Sequence, residues 1–518
     1  MNHLLAIDAG TGSVRAVLFD TDGNQCAFAS REWTHAQEAN VPFSMGFDCA
    51  VNWELVKACI QEVLAKTKVA PESILGVSAT SMREGIVLYD AQGKELWAVA
   101  NVDARAGEEV RLLHAQGVEE AFYAQSGQTF ALGAMPRLLW LKTHQPDTYA
   151  KVAHLSMLSD WVLYKLCGVL ASEPSNAGTS GIFSLQKRTW EPAMMAKVGL
   201  KEDIFPPCYE TGTVLACVSP EAARQTGLHV STKVVLGGGD VQLGSAGLGV
   251  VNKGDAAVLG GSFWQQVVNI DATTPPPKSM EIRVNPHVIC GQSQAEGITF
   301  FSGLVMRWFR DVFCQEEVAQ AQRNGEDVYT LLERQAMEVP VGSHGILPIF
   351  SDTMKYGRWY HASPSFLNLS LNASVCNKPA MFRALQENAC IVSKLNLAKI
   401  EAFTGLTCKA LVFAGGASKG ILWPQMLADV TGLTVRIPKV TEATALGAAM
   451  AAAVGCGLFS TLQDAAHAWV EWAREYTPNK ENHHAYCAVQ ERWEKAYAKQ
   501  VELVDENITT SMWKAPGV

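Results

Sequence analysis

The stretch L-A-I-D-A-G-T-G-S-V-R-A-V-L-F-D, residues 5–20, joins two apolar runs through a Gly-Thr-Gly-Ser loop. Residues 13–20 set Val14, Ala16 and Leu18 against Arg15, Val17 and Phe19, the alternation of a strand. With the apolar run 4–7 this predicts a hairpin. Thr21-Asp22-Gly23-Asn24 then predicts a turn that returns residues 26–33 as a third strand. Glycine lets a ligand come close to the backbone, and successive turn N–H groups form an anion-binding concavity. Yet Asp8 stands at the mouth of this loop, and a bare carboxylate repels phosphate.

Working outward, residues 48–66 place Trp53, Val56, Ile60 and Val63 at helical spacing, and 74–78 and 85–89 read as strands. Strands alternating with helices give an α/β fold. The pattern returns in the middle of the chain. Residues 233–236 run into Gly237-Gly238-Gly239-Asp240, and a small-residue helix over 241–249 follows. Residues 256–259, Gly260-Gly261-Ser262 and 263–268 then repeat strand, glycine turn, strand. This second copy lacks the Asp. We expect a first domain over 1–254 and a second over 255–518, with the Pro-rich 273–278 as an exposed loop. Later, 379–403 is an amphipathic helix with Phe382, Leu385, Ala389, Val392 and Asn396 on one face. Residues 410–414 form a strand into Gly415-Gly416-Ala417-Ser418, and helices follow over 421–430 and 442–454. Two glycine-turn hairpins predict a duplicated α/β unit with a cleft between the copies.

Composition sets bounds on function. A chain of 518 residues is too long for one core. Its net charge of −9 and the absence of any Lys/Arg-rich block argue against nucleic acid as a partner. The 13 cysteines are scattered without C-x-x-C, as in a reduced cytoplasmic protein. No signal peptide is evident, and the Ala-rich 443–459 reads as a tightly packed helix rather than a membrane span.

Four glycine turns, at 8–13, 237–240, 260–262 and 415–418, follow apolar strands, and α/β ligand sites gather at the carboxyl ends of strands. Asp240, after three glycines, is the best candidate for a general base that takes a hydroxyl proton in phosphoryl transfer; as a bland alternative it caps the helix that follows. Arg83-Glu84 can hold substrate hydroxyls, Arg donating and Glu accepting, or form a surface ion pair. Asp103 and Arg105 admit the same two readings, with a structural bridge favoured over contact with substrate. Trp264 and Trp308 read as core or cleft wall. His287, His344 and His361 are assigned no metal. Gly416-Ala-Ser418-Lys-Gly420 matches a hydrolase nucleophile elbow, with Asp429 or Glu442 and His467, His483 or His484 as its only partners. That alternative leaves the other three glycine turns unexplained. A third class is a non-catalytic actin-like sensor, against which the retention of Asp8 and Asp240 argues.

Taken together these motifs resemble the FGGY carbohydrate kinases, of the actin/hexokinase-type ATPase superfamily with duplicated ribonuclease-H-like domains. Asp8-Ala-Gly-Thr-Gly-Ser13 resembles the first phosphate motif and Gly237–Asp240 the catalytic segment. Leu259–Phe263 sits where the second phosphate hairpin belongs. Phe413–Ser418 resembles the adenosine motif and Glu442–Gly447 the closing connecting motif. The stretches 81–89, 101–106, 237–244 and 263–269 and the tail S-M-W-K-A-P-G-V resemble the branch that phosphorylates 4,5-dihydroxy-2,3-pentanedione, a quorum-sensing signal, on its terminal hydroxyl. The resemblance implies ATP and Mg²⁺ as cofactors and a small polyol- or ketose-like substrate. It also implies a regulatory phosphotransferase-system carrier such as HPr. It assigns Asp240 as base, and Arg83, Glu84, Asp240 and Gln242 to the substrate. Thr11, Gly12, Ser13, Gly260, Gly261, Ser262, Gly415, Gly416 and Ala417 fall to the nucleotide, and Asp8 to the metal, directly or through water. One departure stands out: many relatives carry Gly-Thr where this chain has Gly260-Gly261, and Ser262 offers a hydroxyl one position later.

Overall fold

A computed structural model describes residues 2–352, 360–515 and 517. The opening hairpin forms as expected. Strand His3–Ala9 pairs antiparallel with Ser13–Asp20, which pairs in turn with Gln25–Glu32. On its other side His3–Ala9 runs parallel to Ile74–Ser81, and that strand runs parallel to Lys233–Gly239. Val214–Cys217 closes the six-stranded sheet antiparallel. Both faces of this sheet are covered, so Val17 and Phe19 are buried along with Val14, Ala16 and Leu18.

The second half repeats the order. Trp264–Asp271 pairs antiparallel with Ala256–Gly260 and with Gln292–Thr299. Ala256–Gly260 runs parallel to Ala410–Ala414, and that strand parallel to Thr434–Pro438. Trp472–Tyr476 forms the antiparallel edge, and Arg283–Pro286 adds a seventh strand beyond Gln292–Thr299. Three antiparallel strands, two parallel additions and an antiparallel edge thus recur in each half. The duplication read from the glycine hairpins is present in the topology.

Two helices lie between the sheets. Ala443–Cys456 packs on the first sheet, where Leu4, Ala6, Val17 and Phe19 meet its alanines. Asp240–Gly247 packs through Val241 against Ala257, Val267 and Val412 of the second. A helix covered all round has no polar face, which explains the Ala-rich run. No helix among the described residues is long and apolar enough to cross a membrane. The two helices cross at Gly247 and Gly447. A Cβ on Gly247 would lie 1.9 Å from the Ala443 carbonyl oxygen, and one on Gly447 1.9 Å from that of Leu243. Backbone meets backbone there, and no side chain fits.

Gly237–Gly239 departs from the expected turn. These residues are the end of a strand, none has positive φ, and all are buried. A Cβ on Gly237 would lie 1.9 Å from the Ala79 carbonyl, and one on Gly238 2.6 Å from the Ser175 hydroxyl. Gly237 serves close packing on the neighbouring strand, and Gly238 lets Ser175 of the short helix Pro174–Ala177 approach. Gly239 is the N-cap, so Asp240 is the first helical residue rather than the cap. Trp308, expected in core or cleft wall, is 40% exposed on the helix Ser302–Phe313 and lies outside the cleft. Trp264 is fully buried.

Candidate active site

A cleft of about 1200 Å³ opens between the halves and is lined by Thr11, Arg83, Glu84 and Asp240 from the first and by Phe263, Arg283 and Glu296 from the second. The loop at residues 10–12 is held from behind. Trp33 Nε1 donates to the Gly10 carbonyl at 2.9 Å, the Trp33 amide to that of Gly12, and His35 Nε2 to that of Thr11 at 2.7 Å. With its carbonyls so bound, the loop turns its amides outward. Asn101 donates to the Thr11 hydroxyl at 3.0 Å.

The glycines divide into two kinds. A Cβ on Gly260 would meet the Phe413 ring at 2.8 Å. Gly415, at φ +94°, would meet the Gly260 carbonyl at 2.6 Å. These two bring the second hairpin and the 415–418 loop into contact. Gly12 and Gly416 are exposed with nothing within 4 Å of where a side chain would project, and Gly261 has only the Phe263 carbonyl at 3.5 Å. The protein itself does not require glycine at those three positions, whereas a phosphate or nucleotide lying on the backbone does. Ser262 is exposed beside them, its carbonyl accepting from the Gly303 amide, and Ala417 packs beneath.

Arg83 and Glu84 are not a surface pair. Arg83 is 5% exposed, and its Nη1 donates to both oxygens of Glu296, at 2.6 and 2.8 Å. Its Nε lies 3.8 Å from Asp240 Oδ1. Glu84, at φ +62°, accepts from Arg283 Nη2 at 2.6 Å. Each member of the pair therefore meets an opposite charge from the other half. Asp240 Oδ1 also accepts from the Val241 amide at 2.8 Å, and 35% of its side chain is reachable from the cleft. Its depth in the molecule pushes its carboxyl up to about 6, with Arg83 opposing and Glu84 and Glu296 adding. Gln242 is fully buried and donates to Glu296 and Gln294, so it stands behind the cleft wall.

Asp8, on the first strand of the hairpin, does not line this cleft but lies close enough to Asp240 to feel its charge. Burial pushes its carboxyl up to about 7; the charges of Asp240 and Glu442 add and Arg15 opposes. Arg15 is itself bound to Glu442 at 2.7 Å. A carboxylate so short of positive charge fits a bound divalent cation. The described residues hold no ready-made cluster of three metal-ligating side chains. Mg²⁺ keeps several waters and takes one or two carboxylates plus phosphate oxygens, so a single Asp suffices. Both donor set and open glycines thus fit ATP with Mg²⁺.

Several residues escaped sequence reasoning. Arg137 is 1% exposed and ties three cleft segments together, donating to the carbonyls of Glu84, Asn101 and Asp103. Its signal was a charge inside the apolar helix A-M-P-R-L-L-W-L. Gln128 accepts from Arg283 at 2.6 Å. Five cleft-lining residues, Phe43, Glu84, Leu132, Met280 and Phe301, have positive φ without being glycine, and such strain gathers at functional sites. Asp103 and Arg105 form the expected bridge, with the guanidinium between Trp97 and Trp140.

The hydrolase alternative finds no support. Ser418 is 6% exposed, its hydroxyl donates to the Gly415 carbonyl at 2.9 Å, and no His or carboxylate bonds it among the described residues. Asp429 accepts instead from Gln425, Asn479 and Asn482, holding helix ends.

Comparison with known proteins agrees with this geometry. Models of the FGGY family of carbohydrate kinases match residues 3–247, as the N-terminal domain, and 268–456, as the C-terminal domain. The chain is 54% identical to an autoinducer-2 kinase of Klebsiella pneumoniae and 55% identical to one of an Enterobacter species. In each case 100% of this chain and 98% of the relative are covered. Among solved structures, xylulose kinase from Rhodospirillum rubrum superposes with a TM-score of 0.86 at 24% identity, covering 97% of this chain and 99% of that one. Plasmodium falciparum glycerol kinase with ADP gives 0.83 at 17%, covering 96% and 98%. These two establish the fold.

Proposed function

The chain belongs to the FGGY family of carbohydrate kinases, and from that premise we propose that it transfers the γ-phosphoryl group of ATP to the terminal hydroxyl of autoinducer-2, as linear 4,5-dihydroxy-2,3-pentanedione. It is an ATP-dependent phosphotransferase acting on a small molecule. What carries the finer reading is the convergence of Arg83, Glu84 and Asp240 on one cleft in a chain that matches autoinducer-2 kinases along its whole length.

In this proposal Asp240 accepts the proton of the acceptor hydroxyl as its oxygen bonds to the γ-phosphorus. The bond from that phosphorus to the β–γ bridging oxygen breaks, and ADP leaves with the electron pair. Arg83 donates to the acceptor's oxygens and Glu84 accepts from its free hydroxyl, while Glu296 and Arg283 keep both side chains aimed. Gln242 braces Glu296 from behind. Thr11, Gly12, Ser13, Gly260, Gly261 and Ser262 line the phosphates, and Gly415, Gly416 and Ala417 lie under the nucleotide. Asp8 would hold Mg²⁺, directly or through water, and that ion would supply charge neutralisation on the transferring group. The transition state is loose, so positioning supplies most of the rate.

An ADP-release assay with 4,5-dihydroxy-2,3-pentanedione, xylulose, gluconate and glycerol tests this. The dione is expected to show the highest kcat/KM. Preference for another acceptor overturns the substrate assignment, and no acceptor-dependent ADP with any of them overturns the transfer mechanism. We divide the chain functionally at 254/255, and we place it in the cytoplasm, in keeping with its 13 unpaired cysteines. A carrier of the HPr type is proposed on resemblance alone; separate elution of the two proteins on gel filtration removes it.

A further inference from the structure

We propose that the C-terminal tail, residues 511–515 with Gly517, forms a wall of the acceptor pocket and bridges the two halves across it, with Trp513 selecting an acceptor that is polar at one end and apolar at the other. The inference rests on the kinase reading. Residues 511–515 are tied down by contacts with the second half. Ser511 accepts from the His361 amide at 2.9 Å and donates to the Trp513 carbonyl at 2.6 Å. Lys514 pairs antiparallel with Tyr360, and Ala515 is 3% exposed. The Trp513 ring lies 5.8 Å from that of Phe300, near parallel at 24°. His361, against which the tail rests, is itself bound to the buried Asp352. All these partners belong to the second half.

Gly517 then reaches the first half. It has φ +86°, and a Cβ there would lie 2.7 Å from both the Gly107 carbonyl oxygen and the Val110 side chain. It sits on the first turn of the helix Gly107–Ala115. Between these two anchors, Trp513, Lys514, Ala515 and Gly517 line the same cleft as Arg83 and Asp240. Trp513 extends an aromatic wall in which Phe263 lies 5.9 Å from Phe300 and 5.5 Å from Phe301. The charged groups of the cleft suit hydroxyls; the aromatic wall suits a short apolar end such as a methyl group.

The test compares the full chain with a chain ending at Met512 and with Trp513→Ala, Trp513→Phe and Gly517→Val. Substrates are ATP with either 4,5-dihydroxy-2,3-pentanedione, which ends in a methyl group, or glycerol, which has no apolar end. The shortened chain, Trp513→Ala and Gly517→Val are expected to raise KM for the dione about tenfold and to lower kcat/KM for glycerol by a smaller factor, leaving KM for ATP within about twofold. Trp513→Phe is expected to restore the dione KM. A dione KM within about twofold of the full chain in both the shortened chain and Trp513→Ala overturns the acceptor assignment. Hydrogen exchange tests the bridge separately: amides of 107–115 are expected to exchange faster without the tail, and unchanged exchange overturns it. If the full chain phosphorylates no acceptor, the kinase reading and the acceptor assignment fall together, and the exchange result still decides the bridge.

Discussion

Asp240 is pushed up to about 6 by its depth in the molecule, and this has two consequences of opposite value. In its proposed role as base it works ionised, so kcat/KM is expected to fall as pH drops below about 6; a flat profile down to pH 5 contradicts the assignment. For stability the sign reverses. The folded state holds this proton more tightly than the unfolded chain, so the contribution is present at low pH and is lost as pH rises from the ordinary carboxylate range through about 6. Asp240→Asn removes base and burden together. Transfer is expected to fall about 10²–10⁴-fold, while the protein gains about 1 kcal/mol after allowance for water reaching a third of the side chain. Calorimetry beside the ADP assay checks both, and an Asn variant that is inactive and less stable than the parent refutes the burden. Ser418→Ala loses one hydrogen bond to Gly415 and is expected to keep its activity within about threefold. Asp240 stands out in the sequence as a candidate because a lone carboxylate after three glycines is noticeable without any partner. Glu296 and Arg137 do not, because their meaning lies in what they touch. Glu296 is 213 positions from Arg83, and no local pattern connects them.

The strands and helices were legible at the scale of elements because each carries its own period. The glycines were not, because one letter serves several needs. Gly237–Gly239 reads like a phosphate turn, yet its lack of side chains serves contact with Ala79 and Ser175. Gly12 reads the same and is open. Only the neighbours across the sheet separate the two uses. Equally hidden was the destination of Ala443–Cys456, a helix from the second half that packs on the first half's sheet. Its small residues are legible as tight packing; their partner is not. A methyl group at Gly447 would meet the Leu243 backbone, which cannot swing away as a side chain does. Gly447→Ala is therefore expected to cost about 1–3 kcal/mol or more, read as a lower denaturant midpoint, whereas Gly457→Ala, exposed past the helix end with open space around it, is expected to pay only for its φ of +80°. Equal losses in the two variants would mean that the helix crossing is not the close contact described.

Across the whole molecule, the cleft is spanned by ion pairs from groups to which the proposed mechanism gives a role at the acceptor. Arg83 reaches Glu296 and Glu84 reaches Arg283, so both of these cleft-lining side chains of the first half meet an opposite charge from the second. Glu296 has no exposed side-chain surface, and removing one partner of a buried pair leaves the other charge uncompensated, at about 3–5 kcal/mol. In this chain that cost has an exit, because the halves can part and let water reach Arg83. Glu296→Ala is thus expected to loosen the cleft more than it unfolds either half. Small-angle scattering should show a larger radius of gyration for Glu296→Ala than for the parent, with the far-ultraviolet circular dichroism unchanged. A non-hydrolysable ATP analogue with Mg²⁺ and acceptor should compact the parent, since a ligand held from both sides favours the closed state. The same ligands should compact Glu296→Ala less, because the pair that aligns Arg83 is missing. Closure excludes water from the phosphoryl group and limits hydrolysis, so Glu296→Ala is also expected to release more ADP without acceptor, relative to its transfer rate, than the parent. A parent that does not compact, or a variant whose dimensions and acceptor-free ADP release match those of the parent, would show that the crossed pairs hold the side chains without governing the cleft.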